Sequence, residues 1–206
     1  GHALHQMLSA VTYSAVSGTS VARDFVELPS QLYEHWLEQP EVLQKFAIHA
    51  ETGEPMPRDL LKRMLGAANF DMGFQTVEYI ASALVDLTFH EGPAPVDIMA
   101  RQTEILSEIN MPDAIGMRHA TPQFAHVFAG DGYSSAYYSY MWSEVMDADA
   151  FASFESLGGA FDPERAQSLH DCILSKGGSD DAEQLYLAFR GRMPDASALL
   201  KNRGLD

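Results

Sequence analysis

Gly1-His2-Ala3-Leu4-His5 opens the chain, and the reading of this stretch decides what the remaining residues are taken to build. In the pattern H-E-x-x-H two histidines lie one helical turn apart, so both imidazoles face one metal ion. A glutamate beside the first serves as general base. Gly1-His2 matches the last two positions of that pattern. On this reading the first histidine and the glutamate lie on polypeptide preceding Gly1, and the sequence holds only part of a zinc site. Taken alone, Gly-His is also what tag removal leaves behind, so the stretch needs a partner further along.

Glu27 is the candidate partner. A zinc site that takes two imidazoles from one helix often draws a carboxylate from a following helix and keeps a fourth position open for water. Glu27 stands among Phe25, Val26 and Leu28, where an unpaired carboxylate would be costly. Asp24 lies one turn earlier and can accept a hydrogen bond that orients a ligand histidine. The same stretch also reads as an ordinary amphipathic helix with a surface Glu and Asp. His5, three residues beyond His2, is not assigned as a ligand.

The rest of the chain reads as helix after helix. Ala3, Leu4, Met7, Leu8, Val11 and Ala15 fall near helical spacing, and Ser17-Gly18-Thr19 ends that run. A second helix is expected from about Val21, through Pro29, to about Glu38, and Pro40 starts a third. A turn over Gly53 to Pro57 precedes a fourth. Residues 71–90 are strongly amphipathic, and helices are expected over 96–109, 133–156, 162–175, 180–189 and 195–202, with Gly204 closing the last. No alternating strand pattern and no internal repeat is evident. The predicted fold class is all-α, with one long glycine-containing loop, about 110–132, before a tyrosine-rich helix.

That loop and helix hold a second group of reactive side chains. Loops of such length inside a helical domain are commonly functional. His119 and His126 lie in it, and Gly130-Asp131-Gly132 closes it. Placed on one helix, Tyr133, Tyr137 and Tyr140 fall at i, i+4 and i+7 and share a face. Such a stripe serves equally as core packing. Attack on a peptide carbonyl builds an oxyanion, and neutral O–H or N–H donors stabilise it more than the ground state.

These motifs, with Glu34-His35-Trp36, Tyr137-Tyr138-Ser139-Tyr140-Met141-Trp142-Ser143-Glu144 and Arg190-Gly191-Arg192, resemble the M3 oligopeptidases. These are the thimet-oligopeptidase-like zinc enzymes, whose motif runs H-E-F-G-H. The spacing from His2 to Glu27 agrees with the family's, and the resemblance runs through the whole chain. It is nearest to the bacterial peptidyl-dipeptidases (dipeptidyl carboxypeptidases), with the oligopeptidase A-like endopeptidases next.

The resemblance implies that residues 1–206 are the C-terminal part of the catalytic domain, with zinc held by His2, Glu27 and a histidine outside the chain. It implies Tyr140, Tyr133 and His126 as catalytic and oxyanion-stabilising residues, and Tyr137 and His119 as substrate-binding ones. Between His126 and Tyr133 the chain is one residue longer than the peptidyl-dipeptidases, with Asp131 as the extra residue. Short peptides are the implied substrates, and the rest of the same polypeptide is the implied partner. The piece by itself is expected to be inactive and to bind zinc weakly. A non-catalytic helical peptide-binding module and a purely structural domain are the alternatives.

Composition narrows the remaining classes. A net charge of −16, from 29 acidic and 13 basic residues, argues against nucleic acid, which requires clustered Lys and Arg. No apolar run nears the roughly 20 residues that span a bilayer. Cys172 is the only cysteine, which excludes an internal disulfide and fits a reducing, cytoplasmic compartment. Self-association through an uncovered apolar face is a further expectation.

Overall fold

A computed structural model describes residues 1–205. Eleven α-helices make up most of the regular structure among them, beside 3-10 turns at Ser14–Val16 and Thr121–Gln123 and a π-helical turn at His170–Leu174: α1 (His2–Leu8), α2 (Leu28–Leu37), α3 (Pro40–Phe46), α4 (Arg58–Gly66), α5 (Met72–His90), α6 (Ile98–Glu108), α7 (Ala125–Phe128), α8 (Ser139–Leu157), α9 (Pro163–Leu169), α10 (Ala182–Arg190) and α11 (Ser197–Asn202). The only β-pairing among the described residues is a single bridge between Ile48 and Pro55. The fold is therefore all-α, as the periodicity predicts. No described helix is long and apolar enough to cross a membrane.

The helix boundaries differ from the sequence reading where glycine, proline and serine compete with the backbone. The first helix stops at Leu8 rather than near residue 16. Ser9 then accepts the Gly18 N–H through its hydroxyl, a side-chain bond that favours a loop over another turn. Residues 23–27 form successive turns instead of helix, and α2 begins only at Leu28. Pro29 explains this: it occupies the first turn, where its missing N–H costs nothing. The tyrosine helix also starts late, at Ser139, so Tyr133 and Tyr137 precede it in a turn segment.

The chain divides into two compact units, Gly1–Phe70 with the residues from Met141 on, and Asp71–Tyr140. The first unit is built on Phe25, Leu28 and Leu32, packed with Phe151 and Phe154 of α8 and Tyr186 and Phe189 of α10. Three of these, Leu28, Leu32 and Phe154, are 0% exposed, so the start of α2 is clamped in the core. The second unit packs Ala83 and Val85 of α5 against Ile105 of α6 and against Phe124, Val127 and Tyr137. Each core thus holds one of the two groups of candidate functional residues.

Candidate active site

In the first unit the head of α1 lies on the head of α2. A Cβ on Gly1 would collide with the Pro29 carbonyl and the Ser30 backbone, so only glycine allows this approach. His2 follows at once, and its Nε2 lies 2.9 Å from Glu27 Oε2. Glu27 caps α2 between the buried Phe25 and Leu28 and is itself 7% exposed. Ser30, one turn on, donates its hydroxyl to Glu27 Oε2 at 2.8 Å and to the Glu27 carbonyl at 2.9 Å. That fixes the carboxylate's rotamer. Sequence reasoning missed Ser30, although its i+3 spacing from Glu27 at a helix start was available as a signal.

Asp24 is half-buried in the turns before α2, and its carbonyl accepts the Ser143 hydroxyl at 2.9 Å. His5 is completely buried. Burial, with the nearby His2 charge, pulls its pKa down, which keeps the ring neutral. At the other end of α2, His35 stacks on Phe151 with centroids 4.5 Å apart, and its Nε2 is 2.7 Å from Asp147 Oδ1. Burial pushes the Asp147 carboxyl up to about 6, against the opposing pull of His35.

In the second unit the reactive side chains form an aromatic cluster. His126 Nε2 lies 2.9 Å from the Tyr140 hydroxyl. Tyr133 stacks on Tyr140 at 5.3 Å, and its centroid is 4.6 Å from that of His126. Tyr137 meets Tyr140 edge-on at 5.5 Å and His126 at 5.6 Å. The three tyrosines therefore converge, but not through helical periodicity. The turn over residues 133–138 brings Tyr133 and Tyr137 to Tyr140 at the head of α8. The expected face of one helix is a folded-back segment instead, because Ser135 adopts a left-handed φ of 56°, which no helix contains.

His119 stacks on Phe124 at 4.8 Å and meets Tyr137 edge-on at 6.3 Å. Burial is the main cause of its lowered pKa, and the charges of Arg118 and His126 add to it. Burial also raises the Tyr137 phenol, so it keeps its proton at neutral pH. The other histidines serve local structure: His90 contacts Asp86, His170 contacts Asp171, and His49 accepts loop N–H groups.

The donor set around Glu27 fits a divalent ion of borderline softness, which accepts imidazole nitrogen and carboxylate oxygen together. It supplies two donors. Among the described residues no group of three His, Cys, Asp or Glu could hold a metal ion.

Helical architecture with an imidazole and a carboxylate converging from two helix starts is an arrangement suited to helical metallopeptidases. The chain matches the family model described as Peptidase family M3 over residues 1–205, and it belongs to that family. It is 38% identical to a dipeptidyl carboxypeptidase of Salmonella typhimurium, over 100% of this chain and 31% of that protein. It is 40% identical to oligopeptidase A of Escherichia coli, over 100% of this chain and 30% of that protein. A probable cytosolic oligopeptidase A of Arabidopsis thaliana is 35% identical over 100% of this chain and 30% of its own length. The chain thus spans about a third of the length of the curated relatives it matches.

Proposed function

We propose that this chain supplies a share of the catalytic centre of a zinc peptidase that hydrolyses short peptides. The observation that carries the reading is the 2.9 Å approach of His2 Nε2 to Glu27 Oε2, two donors 25 positions apart and in phase with the motif. His2 and Glu27 would hold the ion, and Ser30 keeps the Glu27 carboxylate turned toward His2. When bound, zinc supplies Lewis-acid chemistry, polarising a carbonyl and making water a nucleophile at neutral pH. The motif's first histidine and its general-base glutamate are not among the residues of this chain.

Tyr140 and His126 act on the substrate side. Attack on the scissile carbonyl moves negative charge onto its oxygen. In the tautomer in which His126 Nε2–H donates to the phenol oxygen at 2.9 Å, the Tyr140 O–H is the donor for that charge. Tyr133, stacked on Tyr140, limits the phenol's motion, and Tyr137 and His119 bind the peptide beside it. The relatives' names include both a dipeptidyl carboxypeptidase and an oligopeptidase, and short peptides are the substrate class common to both. The cytoplasm is the proposed compartment, from the single cysteine and the cytosolic relative. Besides peptides, the rest of its own polypeptide is the proposed partner.

Metal analysis of the intact peptidase carrying this sequence tests the reading. About one zinc per chain is expected, with His2→Ala and Glu27→Gln each removing most of it and lowering kcat/KM about 1,000-fold. The 206-residue chain alone is expected to show no chelator-sensitive hydrolysis. Full zinc content in both variants would remove His2 and Glu27 from the site.

A further inference from the structure

Asp86 is the most completely enclosed carboxylate outside the residues assigned above, at 0% exposure in the middle of α5. A buried carboxylate is stable only where its oxygens are met by donors. Two of its donors are main-chain groups of the tyrosine segment. The Ser135 N–H donates to Oδ1 at 3.0 Å and the Tyr137 N–H to Oδ2 at 2.9 Å. His90, one turn along α5, brings Nδ1 to 2.9 Å from Oδ1. Two turns before Asp86 on the same helix face, Tyr79 donates its hydroxyl to the Tyr137 carbonyl and stacks on the Tyr137 ring at 5.2 Å. Both polar groups of the Tyr137 backbone are thereby held by α5.

We infer that Asp86 is the positioning residue of this active site: its carboxylate pins the turn that aims the Tyr140 hydroxyl. The inference rests on the proposed role of Tyr140 and His126. Its physical core is the conformation of Ser135. A φ of 56° is unfavourable for a residue with a Cβ and persists only where the surroundings over-determine it. The bifurcated grip of Asp86 on residues 135 and 137 supplies that constraint. Two residues beyond the second bond the chain enters α8, whose second residue is Tyr140. A shift of the turn is therefore a shift of the phenol relative to His126. Only a carboxylate suits the position. Asparagine offers one acceptor oxygen, and its amide would face one of the two N–H groups with another donor.

The test is a double-mutant cycle in the intact peptidase. Asp86→Asn is expected to lower kcat about 10- to 100-fold, as about 1 Å of misplacement does, with KM changed less and zinc content unchanged. On a Tyr140→Phe background the same change is expected to slow the enzyme less than about threefold, because the group it positions has gone. Equal slowing on both backgrounds overturns the positioning role and leaves the oxyanion reading standing. No effect of Tyr140→Phe on kcat sinks the oxyanion reading, and this inference with it. Amide hydrogen exchange in the unmutated protein provides a measurement that does not depend on the variant folding. Ser135 and Tyr137 are expected to be protected, and exchange as fast as at Gly130 and Gly132 overturns the tie.

Discussion

His2 and Glu27 are brought together by two short helices whose backbones touch, whereas Tyr133, Tyr137 and Tyr140 are gathered by a turn that a distant buried acid holds. In the first region glycine does the work. Gly1 removes the side chain that would separate the α1 and α2 heads, and Ser30 then locks the carboxylate locally. In the second region the local conformation is unfavourable, at Ser135, and is maintained from α5 by Asp86 and Tyr79. The first arrangement is close to the chain's own preferences. The second depends on long-range bonds spanning 49 to 58 residues. A helix start is thus a robust seat for the proposed metal ligands, and a tethered turn is a precise but dependent seat for the proposed hydrogen-bond donor.

The comparison is tested most severely by Tyr140→Phe in the intact peptidase. Loss of one oxyanion donor is expected to lower kcat about 100- to 1,000-fold while KM and zinc content hold. A rise in KM with kcat unchanged would make Tyr140 a binding residue. Ser30→Ala probes the other region. Freeing the Glu27 carboxylate is expected to cost about 10- to 100-fold in metal affinity, read by competition with a chelator. Unchanged affinity would show that backbone approach alone orients Glu27.

The smallest effect is expected at the far end of α2, where His35 meets Asp147. The Asp147 carboxyl sits at about 6 in the folded chain, above its ordinary value of 3.8. The folded state therefore binds the extra proton between those pH values. The stability associated with it is fully present below about pH 4 and is lost as pH rises through about 6. Asp147→Asn is accordingly expected to stabilise the protein by about 1–3 kcal/mol at pH 8 and by much less at pH 4. Denaturant midpoints at the two pH values measure this, and an equal gain at both would show that burial of charge at Asp147 costs nothing.

Helix content was legible because it rests on local periodicity: the amphipathic run of residues 71–90 became α5, and Pro40 and Gly204 punctuate the chain where expected. The tyrosines were legible as residues but not as a geometry. Their i, i+4, i+7 spacing suggested one helical face, and they meet through a turn that breaks that helix. Asp86 carried no signal, since an acid inside an amphipathic helix reads as a surface residue until its 0% exposure is seen. The bridge at Ile48 and Pro55 was equally silent.

By itself the sequence determined the helical class, the family, and the phase between His2 and Glu27, because composition, periodicity and motif spacing are properties of the chain as written. Only the tertiary structure decided that α2 begins after Glu27, that Ser30 orients its carboxylate, and that Asp86 holds the tyrosine turn. Those depend on which backbone groups are buried and which partners reach them, and a one-dimensional pattern does not encode the approach of residues so far apart.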